Sequence, residues 1–277
     1  MLAFIYPSDY FNPQKVDEEY FEEYEAAKKH GFPVFVFDEE QFKDNGNIKL
    51  HPVPNSSVQA FYRGWMLKPE LYQLFYDSLL TKGVELFTKS DEYSRFHSFP
   101  NIYKDIEPYT AKTVYFEEDD RIDVDLINKS FEKFMVKDFV KSVKGARDFP
   151  TFFETPVQEK YFLQLLEKFR DYRGDQFTGG YVIKEYLKLQ PKSEFRAFYL
   201  NGELLSLLPQ DNSIMEPPLE FANSFKDLSK GFYTIDFGMC LSGEWKIIES
   251  GDGQVSGLPD GCDVERFYEG IKIKSYT

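Results

Sequence analysis

The chain has 277 residues, of which 42% are hydrophobic and 18% aromatic, so it can bury a sizeable core and is not intrinsically disordered. The 33 basic residues stand against 47 acidic ones, and the net charge of −14 argues against general nucleic-acid binding. Its apolar runs are shorter than the roughly 20 residues a bilayer span requires, and two cysteines are too few for a disulfide scaffold. We therefore expect a cytoplasmic protein that does not act at a membrane, and the sequence leaves its oligomeric state open, a homo-oligomer included.

The first third of the chain alternates strand-like and helix-like patterns. Strands are predicted at residues 2–6, 33–37, 58–66 and 84–87. Helices are predicted over residues 17–30 and from Pro69 to Leu79. Gly31 follows the first helix at a position that favours a left-handed cap, and Gly83 closes the second. This alternation indicates an open α/β sheet in an amino-terminal domain of residues 1–108.

The pattern changes after residue 109. A helix with an apolar stripe begins near Tyr161, and strands are predicted at residues 113–116, 134–137, 181–187, 195–200, 203–208, 232–237 and 245–249. Hairpin turns are expected at Asn201-Gly202 and Ser242-Gly243. The second domain, residues 109–277, should therefore be α+β with an antiparallel sheet.

Two acidic residues, Asp236 and Glu249, lie in apolar strand segments near the end of the chain. If the hairpin turns at Ser242-Gly243, their carboxylates lie nearly opposite each other, where like charges repel. A bound Mg²⁺ would remove that conflict, because magnesium is typically held by one or two carboxylates and nucleotide phosphates. The following glycine-flanked turn adds Asp252 as a third candidate ligand, with Gln254 beside it. The alternative is two exposed acids on a solvent-facing side of the sheet.

Lysines share one face of an apolar segment in the middle of the chain. Period-two alternation places Lys137 and Lys141 on the same side. Ammonium groups in such a setting require an anion, and phosphate oxygens suit them. Lys144-Gly145 would then supply a loop that closes over the phosphates. The alternative is an edge strand protected by lysines.

Two residues of the first domain are further candidates. Arg63 stands at the end of an α/β strand, where a guanidinium can bind a substrate carboxylate through two hydrogen bonds. A surface arginine paired with an acid is the alternative. His97 could transfer protons, but its sequence neighbours offer no partner, which favours a structural or surface role.

The order of these segments resembles the ATP-grasp superfamily. The resemblance is carried by a Val-Lys strand at 136–137, Val-Ile-Lys-Glu-Tyr-Leu at 182–187, Glu-Phe-Arg at 194–196, a strand aspartate and a strand-ending glutamate. It covers about residues 130 to 260, and the preceding α/β region takes the place of that family's pre-ATP-grasp domain.

Two narrower resemblances lie within that superfamily. Residues 62–66, His97 with Phe99-Pro100, and residues 249–259 resemble a phage- and bacteria-associated ATP-grasp clade whose substrates are largely unassigned. The Glu-Phe-Arg segment is similar to cell-division-cycle-type ATP-grasp factors that help to assemble eukaryotic translation initiation complexes.

The resemblance implies ATP and Mg²⁺ as cofactors and assigns roles to particular residues. It makes Asp236 and Glu249 the magnesium ligands. The implied nucleotide-binding residues are Lys137, Lys141, Lys144, Lys184, Glu185, Leu187, Glu194 and Arg196. Among them, Lys137 contacts phosphate, the segment of Glu185 and Leu187 binds adenine through its backbone, and Glu194 binds the ribose.

Catalytic roles are predicted for Lys137, Arg196 and Arg63, with Arg196 stabilising a phosphate or acyl phosphate. The sequence departs from the family at two positions: the phosphate loop has only Gly145, and Gly251 replaces an asparagine that usually follows the metal-binding glutamate by two residues.

These observations predict a ligase that activates a carboxylate as an acyl phosphate and joins it to an amine or a thiol. The carboxylate and the amine would belong to small molecules or to peptides. The alternatives are an ATP-binding assembly factor without ligase turnover and a phosphotransferase that makes a stable product.

Overall fold

The computed structural model describes residues 1–143, 145–210 and 213–275. The amino-terminal sheet consists of β1 (Leu2–Pro7), β2 (Val34–Phe37), β3 (Leu50–His51), β4 (Val58–Tyr62) and β5 (Val84–Leu86). The strand order is β3-β2-β1-β4-β5, and every pair except β2–β3 is parallel. The helices that follow these strands are α1 (Phe21–Lys29), α2 (Glu39–Asn45), α3 (Pro69–Leu80), α4 (Ser90–His97) and α5 (Phe99–Ile106). The parallel sheet with helices on both faces agrees with the α/β expectation.

Local signals in this sheet are mostly as the sequence predicts, with one difference at a strand end. Gly31 has φ +83° directly after α1, the left-handed conformation that glycine adopts without a Cβ penalty. The strand expected over residues 58–66 ends at Tyr62 instead, because the Gly64 backbone turns to donate a hydrogen bond to the Gln254 carbonyl. A tertiary contact, absent from the local sequence pattern, therefore ends β4.

The second sheet forms a separate lobe with its own apolar core. Its strands are β6 (Thr113–Glu117), β7 (Lys133–Lys137), β8 (Phe153–Glu154) and β9 (Gly180–Glu185). They pair in the antiparallel order β6-β9-β7-β8. Helices α6 (Val124–Ser130) and α7 (Glu159–Arg173) complete the lobe, and the α7 stripe that includes Phe162 and Phe169 is buried in its core.

The third sheet is antiparallel and carries most of the predicted site. It consists of β10 (Leu189–Leu200), β11 (Glu203–Pro209), β12 (Phe232–Cys240) and β13 (Trp245–Asp252) in the order β11-β10-β12-β13. Two helices, α8 (Leu219–Asn223) and α9 (Val264–Lys274), follow β11 and β13. Three 3-10 helices occur at Glu18–Tyr20, Glu107–Tyr109 and Gly174–Gln176. Among the described residues, no helix is long and apolar enough to cross a membrane.

The amino-terminal sheet and the third sheet share buried surfaces. The Phe96 ring of α4 stacks on Tyr233 of β12 with ring centroids 4.3 Å apart. The Tyr268 ring of α9 lies 4.9 Å from that of Phe4 in β1. Because α4 and α9 each pack across the expected domain division, the boundary at residue 108 stays a prediction.

A buried ion pair fastens the amino-terminal sheet to the turn after β13. The Arg63 side chain is 1% exposed. Its Nε and Nη2 donate to the Glu23 carboxylate at 2.7 and 2.8 Å. Its Nη1 donates to the carbonyls of Gly253 and Ser256 at 2.6 and 2.8 Å. The Tyr268 hydroxyl donates to the same carboxylate at 2.7 Å. Arg63 is therefore committed to structure, which corrects the expectation that it binds a substrate carboxylate.

We predict that Arg63→Met lowers the free energy of unfolding by about 3–5 kcal/mol, because it leaves the Glu23 carboxylate buried without its partner. Urea denaturation measures the change. Arg121→Met is the matched control, since the Arg121 side chain is 92% exposed, and it should leave the midpoint unchanged. Equal midpoints for the two variants would contradict the structural role of Arg63.

Candidate functional site

The β12–β13 hairpin places Asp236 directly opposite Glu249, as the sequence predicts. Near the turn the strands pair in a different register, with Met239 opposite Trp245 and Phe237 opposite Ile247. A bulge between Asp236 and Phe237 shifts the register by one residue. Without this bulge, Asp236 would face residue 248 instead of Glu249. The two carboxylates therefore meet because of an irregularity that symmetric counting from the turn does not include.

Each of these carboxylates is paired with a cation. The Lys137 Nζ atom lies 2.7 Å from Glu249 Oε1. The Arg196 Nε and Nη2 atoms donate to the two oxygens of Asp236 at 2.8 and 2.7 Å. Arg196 and Asp236 face each other on neighbouring strands β10 and β12. The repulsion between the two acids is thus relieved by side chains of the protein.

A three-carboxylate metal site is not assembled in the part of the chain described. No group of three or more histidine, cysteine, aspartate or glutamate side chains there is placed to hold a metal ion. Asp252, predicted as a third ligand, is not drawn together with Asp236 and Glu249. Those two alone, with phosphate oxygens, still make a donor set that magnesium accepts. The metal role of Asp236 and Glu249 stays a prediction.

The larger pocket of the site has a volume of about 600 Å³ and lies between the second and third sheets. Strands β7 and β9 line one side, and the start of β10 and the middle of β13 line the other. Predicted nucleotide-binding residues at this pocket are Lys137, Lys141, Lys184, Glu185, Leu187 and Glu194. Such a volume is typical of sites for small organic ligands. Residues far apart in sequence are thus brought to one cavity.

Three lysines surround one carboxylate at the inner end of this pocket. Burial by itself would raise the pKa of Glu249, but Lys137, Lys141 and Lys184 together lower it to about 2. Burial, and then the charge of Lys137, lower the pKa of Lys184 to about 7. The Lys184 ammonium donates to the Ile248 carbonyl at 2.6 Å and lies 4.0 Å from the Phe99 ring centroid. Positive charge exceeds negative charge here, so the inner end favours an anion.

Lys141 is held by a turn whose key residue the sequence analysis did not single out. The carboxylate of Asp138, fully buried, accepts hydrogen bonds from the backbone N–H groups of Val140 and Lys141 at 2.7 and 2.6 Å. Its other oxygen binds Arg173 Nε at 2.7 Å. An aspartate directly after Lys137 is a recognisable signal for such a turn. Lys144, the next predicted phosphate-loop residue, lies outside the described residues.

A second, smaller pocket of about 70 Å³ adjoins the first, and Lys141 and Glu249 line both. Other side chains at this small pocket include Arg196, Asp236, Asp252 and His97. His97 is 6% exposed, and its ring stacks on Tyr93 at 4.7 Å. Burial, with a smaller effect from Lys141, lowers the pKa of His97 to about 4, so its imidazole is neutral at pH 7. Sequence neighbours of His97 could not reveal these surroundings, because they come from distant strands.

The turn after β13 is held from inside. The Gln254 side chain accepts from the Tyr62 backbone N–H at 3.0 Å and donates to the Tyr72 hydroxyl at 2.6 Å. Asp252 Oδ1 accepts from the Gln254 backbone N–H at 3.0 Å, whereas Oδ2 has no hydrogen-bond partner. Burial raises the pKa of Asp252 to about 8. Gln254 is thus structural, and Asp252 keeps one oxygen without a partner.

Solved structures share this fold at low sequence identity. The ATP-grasp ligase PsnB, complexed with a minimal precursor, Mg and ADP, has a TM-score of 0.60 and 11% identity, covering 100% of this chain and 98% of that one. D-alanine–D-alanine ligase from Bacillus anthracis, complexed with ATP, has a TM-score of 0.59 and 13% identity, covering 99% and 97%. The macrocyclase MdnC from Microcystis aeruginosa MRC, bound with precursor peptide MdnA, has a TM-score of 0.57 and 11% identity, covering 100% of both chains.

No curated protein matches the sequence with significance. A family described as an ATP-grasp domain, the third family of its clade, matches residues 126–271, which is more than half of the chain. This range contains the second lobe from α6 onward, the third sheet and both pockets' central residues. The resemblance to the ATP-grasp superfamily is therefore confirmed, as is the predicted fold class, and the chain belongs to this ATP-grasp domain family.

Proposed function

We propose that this protein binds ATP with Mg²⁺ in the larger pocket and joins a carboxylate to an amine through an acyl phosphate. The observation that carries the proposal is the cluster of Lys137, Lys141 and Lys184 around Glu249 at the inner end of that pocket. Related structures hold ADP with Mg, and ATP, which supports the same ligands here. A small molecule and a peptide both fit as the carboxylate substrate, and two of those related structures hold a precursor.

The base and the ribose would occupy the outer part of the larger pocket. The segment of Glu185 and Leu187 leaves β9 there and can present backbone groups to adenine, while Glu194 at the start of β10 can accept from ribose hydroxyls. The phosphates would then lie toward the lysine cluster. This orientation places ATP between the second and third sheets, in agreement with a two-lobed domain over residues 109–277.

Binding of a polyphosphate would rearrange the two ion pairs. Phosphate oxygens compete for Lys137 and Arg196, because charge-assisted hydrogen bonds to a dianion are stronger than those to a carboxylate that also needs solvation. The released carboxylates of Asp236 and Glu249 would then hold Mg²⁺, which when bound supplies positive charge that stabilises the transferred phosphoryl group. A phosphate near Lys184 would also favour its charged form.

The chemistry needs no nucleophile from the protein. An oxygen of the substrate carboxylate attacks the γ-phosphorus of ATP, the bond to the β–γ bridging oxygen breaks, and ADP leaves. The amine then attacks the carbonyl carbon of the acyl phosphate, and inorganic phosphate leaves as the amide forms. Arg196 and Lys137 would stabilise the negative charge that develops on the phosphoryl oxygens.

We predict that Lys137→Ala weakens ATP binding about 10- to 100-fold, because it removes a charge-assisted hydrogen bond. Isothermal titration calorimetry with ATP, with and without Mg²⁺, measures the change. Lys160→Ala, at an exposed lysine of α7, is the control for loss of one positive charge and should bind like wild type. In the double variant Asp236→Asn/Glu249→Gln, added Mg²⁺ should no longer increase the affinity. Folded wild-type protein that binds no ATP would refute the nucleotide site.

We predict that the wild type releases ADP and inorganic phosphate only when a carboxylate and an amine are both present. A panel of amino acids and dipeptides, tested pairwise with a coupled ADP assay, supplies both groups. Arg196→Lys should lower kcat at least about tenfold, because lysine keeps the charge but loses the two-pronged contact. Arg121→Lys, at an exposed site, should not.

Three outcomes of this assay distinguish the functions considered. Release of both products supports the ligase. ADP without free phosphate would indicate a phosphotransferase with a stable product. ATP binding without turnover on any pair would favour the assembly-factor alternative and count against the ligase.

A further inference from the structure

An acidic groove lies beside the small pocket. It has a volume of about 560 Å³ and is lined by Trp65 and by exposed carboxylates. The exposed acids are Glu18, Glu19, Glu22 and Asp260. Within the described residues, none of these four forms an ion pair, and no lysine or arginine lines the groove. The negative potential of the groove is therefore not neutralised by the protein itself.

The small pocket has two buried polar groups without partners. Asp252 is 0% exposed, and its Oδ2 atom accepts no hydrogen bond. His97 is 6% exposed, and its ring nitrogens make no hydrogen bond within the described part of the chain. Buried polar atoms are rarely left without partners, because the loss of their hydration is costly. A ligand with several N–H donors would satisfy both residues.

The dimensions limit that ligand to a slender group. The pocket volume of about 70 Å³ corresponds to about two water molecules at roughly 30 Å³ each. An ammonium group and the carbon that bears it fit this space, whereas a ring does not. The pocket also contains Arg196, the residue proposed for the phosphoryl group, so an amine held there would be near the acyl phosphate.

The pocket and the groove adjoin. Gly257 lines both, and Met66 of the pocket is the chain neighbour of Trp65 in the groove. The Trp65 side chain is 43% exposed, and its ring is held edge-on by Tyr20 at 5.4 Å. An exposed indole beside carboxylates is a favourable surface for an organic cation.

We propose that the small pocket binds the terminal ammonium group of the acceptor amine, through Asp252 and His97, and that the acidic groove binds the positively charged remainder of the same substrate. This inference rests on the proposed function and specifies its nucleophile as a primary amine on a slender cationic chain. A polyamine and the side chain of lysine in a basic peptide both have this chemistry. The acids of the groove would repel the carboxylate substrate, which therefore enters elsewhere.

The test is calorimetric titration of the full chain, in the presence of Mg²⁺ and ATP, with three probes: spermidine, a lysine-rich hexapeptide and n-butylamine. Glu19→Gln/Glu22→Gln should weaken spermidine or the peptide about fivefold, because two attractive charges are lost, and should leave n-butylamine unchanged. Asp252→Asn should weaken all binding probes at least about tenfold. Glu167→Gln/Asp171→Asn on α7 is the control with the same change in net charge.

The two cationic probes separate the sources of the amine. Tighter binding of spermidine indicates a polyamine, and tighter binding of the peptide indicates a lysine side chain. The inference is overturned if neither binds the wild type, or if the α7 control weakens binding as much as the groove variant does. It is also overturned if the groove variant binds like the wild type, a result that does not depend on the folding of Asp252→Asn. ATP binding is measured separately, so ATP bound without any amine refutes the inference and leaves the proposed function standing.

Discussion

The position of the site depends on one buried guanidinium. Arg63 binds Glu23 with two hydrogen bonds and the turn after β13 with others, so the amino-terminal sheet and the third sheet meet in one orientation. Glu249 and Asp252 precede that turn, and Gly257 follows it. A displaced turn would separate the small pocket from the groove and from the carboxylate pair. A buried charge that must keep its partner is well suited to fix such an orientation, because every alternative arrangement leaves the charge without compensation.

Charge is distributed in the site so that each part attracts a different ligand. Three lysines at the inner end of the larger pocket favour phosphate, while the groove on the far side of the small pocket is lined only by acids among its charged residues. Arg196 and Asp236 stand between these regions as an ion pair. If both proposals hold, the phosphorylated carboxylate and the amine would approach from opposite sides and meet at Arg196. The resting ion pairs keep the carboxylates compensated until phosphate binds.

Much of the site could be predicted because its residues lie in regular strands. Alternation within residues 134–137 and the hairpin between β12 and β13 were sufficient to relate Lys137, Asp236 and Glu249 to one another. The burial of Arg63 could not be predicted, because a strand-end arginine has the same local pattern whether it faces a ligand or a buried acid, and Glu23 lies 40 residues away. The same reason applies to His97. Its surroundings come from β12, β13 and the loop at Lys141, which no local pattern connects to α4.

The sequence by itself determined the order of strands and helices, the α/β and α+β character of the two halves, and the candidates for phosphate and metal binding. These follow from periodicity and from charges placed in apolar strands, which are local properties of the chain. Only the tertiary structure decided the bulge that brings Asp236 opposite Glu249, the burial of Arg63, and the meeting of His97 with Asp252 in one pocket. These features depend on which distant surfaces pack together, and packing is selected by the whole core rather than by any segment of it.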